Sequence, residues 1–312
     1  MIERDRQWHR LGRLCRRLVL LLAASWILPS HGSDAIALLL SEPGGPYAEV
    51  AAEVRKSLRS TVTVLELPAG EGRDPEISRA KLVVAVGTHA CRVAAQGEGA
   101  APLLCLLIPA SAYDGIARNV RNRAISALVL DQPVSRQMAL IKAVVPERHD
   151  VAVLLGAESA RLARILPRRA AEHGLRIISA PVTDSEDIPS ALQSTLGEAD
   201  VLLAVPDSTV YNSRTVQNIL RTAFQARVPL IAFSPAYVKA GALAAVYTTP
   251  AQVGREGARW INLVLDGRPL PEAHGPGDFT VVVNVNVARA LGISLEHEDA
   301  IVARIRKLEQ AR

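Results

Sequence analysis

The feature that most constrains this chain is an alternation repeated over nearly its whole length: short continuous apolar runs separated by amphipathic stretches of helical spacing. The first series of runs is AIALLLS (35–41), TVTVLELP (61–68), KLVVAVG (81–87), PLLCLLIP (102–109) and ISALVLD (125–131). The second is DVAVLLG (150–156), LRIISAPV (175–182), DVLLAVP (200–206) and PLIAFSP (229–235). Runs rich in Val, Ile and Leu without polar alternation suit strands covered on both faces, as in parallel sheets. Between them, YAEVAAEVRKSL (47–58), YDGIARNVRN (113–122) and VSRQMALIKAVV (134–145) carry apolar residues at a spacing that buries one side of a helix. Two consecutive strand–helix series with no long polar linker predict an α/β protein of two doubly wound, Rossmann-like lobes. Pro146 and the charged stretch 147–150 mark the break between the series, and Pro167 is expected to kink or split the helix in which it falls.

The first thirty-two residues obey a different logic. Six arginines, Arg4, Arg6, Arg10, Arg13, Arg16 and Arg17, precede the eleven-residue apolar run Leu18–Leu28, which Pro29 closes. This is the pattern of a secretory leader, with small residues at Ser30 and Gly32 placing cleavage after Gly32. The run is shorter than the roughly 20 residues that span a bilayer; the alternative is an uncleaved amino-terminal anchor. Cys15 lies before the apolar run, where lipid attachment cannot occur, so the expectation is a soluble periplasmic protein and not a lipoprotein. The leader also carries four of the five net positive charges. The rest of the chain is then nearly neutral, which argues against a nucleic-acid partner. An oxidising compartment would permit Cys91 and Cys105 to pair, but their positions, early in a helix and mid-strand, read more simply as small core residues.

Catalysis finds no support in the motifs. The chain lacks G-x-S-x-G, H-E-x-x-H, a P-loop and C-x-x-C, and no Cys or His pair has the spacing of zinc ligands. Gly97 and Gly99 fail the dinucleotide fingerprint because Pro102 stands at its third position. His89 either touches a ligand or faces solvent at a helix start. The sequence therefore predicts no cofactor and no metal. What it supplies repeatedly is polar and aromatic residues just past strand ends, where open α/β sheets bind ligands. In the first lobe these are Ser41, Glu42 and Tyr47, then Thr88, then Ser111 and Tyr113. In the second they are Glu158 and Ser159, then Asp207, Ser208, Thr209, Tyr211 and Asn212, then Ser234 and Tyr237.

Each group precedes a helix, whose free N–H groups would hold a carboxylate, while Asp207 would suit an ammonium group. All five tyrosines, including Tyr247, fall at or just beyond predicted strand ends. They serve either as stacking surfaces for a ligand or as ordinary, partly wet loop residues. The hydroxyls are likewise either ligand contacts or plain helix caps.

Three segments carry a family resemblance. They are KLVVAVGTHA (81–90), DVLLAVPDSTV (200–210), and VPLIAFSPAYVKAGALAAVYTTPAQVGREGA (228–258) with its closing VVVNVNVARALGI (281–293). The order resembles ABC-transporter substrate-binding proteins of the type I periplasmic binding fold, in the branch that includes tryptophan- and tyrosine-binding members. The resemblance implies two lobes joined by three connections, the first lobe taking 33–148 plus 247–272 and the second 149–246 plus 273–312. It also carries ligand contact onto Thr88, Asp207 and Ser208. It implies a monomer that captures a small polar or aromatic, amino-acid-like ligand and delivers it to an inner-membrane ABC permease. The alternative is a periplasmic sensor acting on a membrane signalling system without transport. In the first lobe, PASAYDGIARNVRNRAISALVL (109–130) departs from the family's usual turn and glycine-rich loop, so amino-acid specificity does not carry over.

Overall fold

The computed structural model describes residues 34–71, 77–97 and 99–310. The expected leader, its cleavage site and Cys15 lie outside the described residues.

The first sheet contains β1 (Asp34–Leu40), β2 (Val62–Pro68), β3 (Leu82–Val86), β4 (Leu103–Ile108) and β5 (Ile125–Val129), in the order β2-β1-β3-β4-β5. The pairs β1–β3, β3–β4 and β4–β5 are parallel. Helices α1 (Gly45–Ser57), α2 (Thr88–Ala95) and α3 (Ala110–Ala117) follow β1, β3 and β4. Every residue of β3 is buried, as two-sided coverage requires.

The second sheet has the order β11-β10-β9-β8-β6-β7. Its strands are β6 (Asp150–Leu155), β7 (Arg176–Pro181), β8 (Val201–Leu203), β9 (Leu230–Ala232), β10 (Ala244–Tyr247) and β11 (Thr280–Val283), parallel except for the antiparallel pair β10–β11. Around it lie α5 (Leu166–Ala171), α6 (Ile188–Leu196), α7 (Val216–Gln225), α8 (Pro235–Ala240), α10 (Val285–Leu291) and α11 (Glu298–Gln310). Pro167 sits in the first turn of α5, after a separate 3-10 turn at Ala160–Arg164, so the helical stretch is indeed split. Strand order reverses between β1 and β3 in one sheet and between β6 and β8 in the other, the points where such sheets open a crevice.

Two helices occupy lobes that local pattern could not assign. Helix α9 (Pro250–Leu265) returns to the first lobe, burying Val253, Trp260 and Ile261 among Leu38, Val50 and Leu106. Its close approach to α1 needs Gly254, where a Cβ would lie 2.7 Å from Glu53 Cβ and 2.8 Å from the Val50 carbonyl. Helix α4 (Val134–Val144) buries Met138, Leu140 and Ile141 with Val151, Leu203 and Ile305 in the second lobe's core, and packs on α11. The chain thus leaves the first lobe before α4, not at residue 148 as the sequence suggested. The helix is buried on nearly every side, and its apolar residues alone would suit either core. Tyr247 ends a strand of the second sheet, and the return segment runs to His274, which bonds to the backbone of Ala127 and Val129 beside β5.

The cysteines also correct the simpler expectation. Cys91 on α2 and Cys105 in β4 form a disulfide with their Cα atoms 5.6 Å apart. Successive β3, α2 and β4 fold back on one another, so two small core positions fall at bonding distance.

Three crossings join the lobes, at 130–133, 248–249 and 276–279, and buried polar groups bind them together. Gln132 Nε2 donates to Thr248 Oγ1 at 2.9 Å, and Thr248 Oγ1 donates to the Asp278 carbonyl at 2.9 Å. Arg136, 6 % exposed, donates to Gln132 Oε1 at 3.0 Å, the Pro276 carbonyl at 2.8 Å and Glu309 Oε1 at 2.8 Å. Its guanidinium lies 4.3 Å from the centre of the Phe279 ring. A buried cation is tolerable only with its donors satisfied, and here they are spent on the crossings.

Candidate functional site

A cleft of about 1000 Å³ opens between the lobes at the carboxyl ends of their strands. The first lobe lines it with Ser41, Glu42, Pro46 and Tyr47 after β1, with Thr88, His89 and Arg92 on α2, and with Leu107 and Pro109 at the end of β4. The crossings add Leu130, Asp131, Gln132, Tyr247, Thr248 and Pro250; the second lobe adds Pro206, Phe233, Ser234 and Pro235.

Local structure explains how these groups are presented. Gly87 has φ of +94°, and a Cβ there would lie 2.4 Å from Ser41 Oγ and 2.5 Å from Tyr47 Cε1. Only glycine lets the loop after β1 close over the start of α2. Leu107 has φ of +55°, where the register of β4 against β5 shifts. A left-handed leucine costs roughly 1–2 kcal/mol, and the turn sets Leu107 in the cleft wall.

Several polar groups beside the cleft are spent on helix starts. Ser41 Oγ accepts the Ala90 N–H at 2.9 Å and Asp131 Oδ2 accepts the Ala110 N–H at 2.6 Å. Ser234 Oγ accepts the Ala236 N–H at 3.2 Å, and Thr249 forms a capping box with Gln252. Burial pushes the Asp131 carboxyl above the usual carboxylate range, opposed by the Ala110 N–H and by Arg161, whose Nη2 is 3.9 Å from Oδ1. Arg161 belongs to the second lobe and also lies 3.5 Å from Asp114 of the first.

Of the residues expected from sequence, the cleft gathers Ser41, Glu42, Tyr47, Thr88 and Ser234. The others serve elsewhere. Ser111 lines a separate groove of about 380 Å³ with Asp114, Arg118, Glu158 and Arg161. Tyr113 donates its hydroxyl to the Ile125 carbonyl at 3.2 Å. Glu158 accepts the Ser208 N–H at 3.1 Å and its hydroxyl at 2.6 Å. Tyr211 is buried, which pushes its hydroxyl pKa far up, and its ring meets Phe233 and Tyr237 edge-on, each at 6.2 Å. Tyr237 donates to the Tyr211 carbonyl at 3.2 Å, so the two tyrosines back the cleft wall that Phe233 presents.

Asp207 is the main correction. Its carboxylate, expected to meet a ligand's ammonium group, is 4 % exposed and does not line the cleft. Oδ2 accepts the Ser159 N–H at 3.0 Å and hydroxyl at 2.7 Å; Oδ1 accepts the Thr209 N–H at 3.0 Å and the Val210 N–H at 3.4 Å. It lies so close to Gly156 that a Cβ there would be 2.3 Å from Oδ1. Ser159 and Asp207 therefore close the crevice between β6 and β8.

Sequence reasoning missed Arg92, Leu107, Asp131, Gln132, Phe233 and Thr248. Arg92 stands one helical turn after Thr88, a signal that spacing offered. Asp131 and Gln132 stand just past the end of β5 and before a helix, a strand-end position of the same kind as the others. Among the described residues, no group of three or more His, Cys, Asp or Glu could hold a metal ion.

Two doubly wound lobes, three crossings and a cleft at facing strand ends define a two-lobed binding protein of the type I periplasmic binding fold. The model of the ABC transporter substrate binding protein family matches residues 77–306, and the chain belongs to that family. Solved structures share the fold at low identity. The ABC domain in complex with L-Trp from Streptococcus pneumonia is 17% identical, with 88% of this chain and 98% of that one covered and a TM-score of 0.57. The ligand-free, open structure of CD0873 from Clostridium difficile, a substrate binding protein with adhesive properties, is 16% identical, with 86% and 97% covered and a TM-score of 0.66. A periplasmic ribose ABC transporter structure from Conexibacter woesei is 10% identical, with 84% and 95% covered and a TM-score of 0.54. No curated protein sequence matches the chain.

Proposed function

We propose that this protein is the exported solute-capturing component of an ABC importer. In the periplasm it holds a small molecule, of amino-acid size and apolar or aromatic in its body, and passes it to an inner-membrane permease. The observation that carries this reading is the cleft itself. Its volume of about 1000 Å³ suits a small molecule, its walls are mainly apolar, and a few polar groups converge in it. The three crossings supply a hinge on which the lobes rotate, closing the cleft around its ligand. Selectivity then comes from shape and from the cost of leaving buried polar groups unpaired.

Thermal-shift screening against amino acids, organic acids, sugars and nucleosides tests the proposal, with native mass spectrometry as a second readout. A ligand at 100 times its Kd should stabilise the fold by about 2.7 kcal/mol. Silence in both assays across the whole set would refute solute capture.

A further inference from the structure

We propose that Leu107 is a specificity-determining residue of the cleft, placed there by a bulge at the end of β4 so that its side chain bounds the apolar body of the ligand. The inference rests on the solute-capture reading and deepens it by naming a residue that limits ligand size.

Alternation along β4 leaves Leu107 outside the regular face pattern. Leu104 and Leu106 pack on the side of α1 and α9, with Val50, Val253 and Trp260. Leu103 and Cys105 pack on the other side, with Ala90, Cys91 and Ala94 of α2. In a regular strand the residue after Leu106 would join the α2 side. Ile108 takes that position instead, because β4 pairs Leu106 with Leu128 and Ile108 with Val129, adjacent residues of β5. Leu107 is the residue left over, as in a bulge, and such insertions re-aim a side chain. Leu106 and Ile108 are fully buried. Leu107 between them is half-buried, packs against the first of these cores from outside it, and lines the cleft with Tyr47, Leu130, Phe233 and Tyr247.

The backbone at this point is strained. Among the described residues, Leu107 at +55° and Arg227 at +58° are the non-glycine residues with positive φ. Arg227 is exposed just past the end of α7, where helices commonly close in that conformation. No helix ends at Leu107. A leucine holds a left-handed conformation only where its surroundings impose it, and residues so held gather at ligand sites.

Isothermal titration with L-valine, L-leucine, L-phenylalanine and L-tryptophan, on the wild type and on Leu107→Ala and Leu107→Gly, tests the inference. In both variants the ratio of affinities for the larger over the smaller probes should rise about tenfold, the scale of vacating a branched side chain's volume. Melting temperatures check the geometry without any ligand. Leu107→Gly should melt no lower than Leu107→Ala, the reverse of the order in an ordinary strand, because glycine adopts a positive φ freely. A glycine variant that melts well below the alanine variant would overturn the inference. Unchanged affinity ratios, an equal loss for every probe, or loss of the fold in both variants would reduce Leu107 to a structural residue and leave solute capture standing. If none of the four probes binds any of the three proteins, the inference falls, and solute capture stands or falls separately on the wider screen.

Discussion

The Asp207 carboxylate holds two loops together with four hydrogen bonds, from the Ser159 N–H and hydroxyl and from the Thr209 and Val210 N–H groups. Asp207→Ala removes the acceptor for all of them at once. Ser159 is itself 2 % exposed, so water does not readily replace the lost partner. Each buried donor left without an acceptor costs about 1–3 kcal/mol. The hydroxyl has a fallback in the Gly156 carbonyl at 3.4 Å, and the Thr209 amide lies nearer solvent. The net loss is then about 3–5 kcal/mol, which for a chain of this size lowers the melting temperature by about 6–15 °C. Asp207→Asn keeps one acceptor oxygen but turns an NH2 group toward a donor, and should lose a comparable amount. Differential scanning calorimetry reads both losses. Ligand titration well below the variant's transition should show affinity close to that of the wild type, because the carboxylate does not line the cleft. A melting temperature within about 2 °C of wild type, together with abolished binding, would refute this reasoning and return Asp207 to the ligand.

Three further outcomes follow from the same structure. The folded protein holds the Asp131 proton more tightly than the unfolded chain does, because burial raises its pKa. Its contribution to stability is therefore present below the unfolded carboxylate pKa and lost as pH rises through the folded one. Asp131→Asn should gain in melting temperature relative to wild type between acidic and neutral pH, and a pH-independent difference would count against the buried-carboxyl argument. Arg136→Met strips the crossings of a buried cation and leaves Glu309 and the Pro276 carbonyl unpartnered; a loss of about 3–5 kcal/mol in urea denaturation is expected, and a change below about 1 kcal/mol would show the network to be dispensable. The Cys91–Cys105 bridge closes a loop of sequence separation 14, so reduction should cost about 3 kcal/mol; the double variant Cys91→Ala, Cys105→Ala should melt at the reduced protein's temperature whether or not reductant is present.

What the sequence made legible and what it hid divide along a physical line. Strands covered on both faces must be apolar throughout, so β3 and β6 announce themselves as local runs, and two series of such runs amount to two lobes. The path between the lobes leaves no such mark. Helix α4 is buried on so many sides that its residues would fit either core, and only its packing against α11 decides. Asp207 poses the same difficulty at the scale of one side chain. A carboxylate just past a strand end reads the same from sequence whether it faces a ligand or its own protein. The deciding fact is the missing Cβ at Gly156, some fifty residues upstream, which leaves room for the carboxylate to turn inward.

The crossing at Asp131 and Gln132 shows why this matters for function. Both line the cleft, and Gln132 is bonded to Thr248 and to Arg136, which ties the other crossings together. A ligand that touches Gln132 or Thr248 therefore touches the hinge directly. Closure needs no relay through the lobes, because any preference of the ligand for one arrangement of these side chains is already a preference for one angle between the lobes.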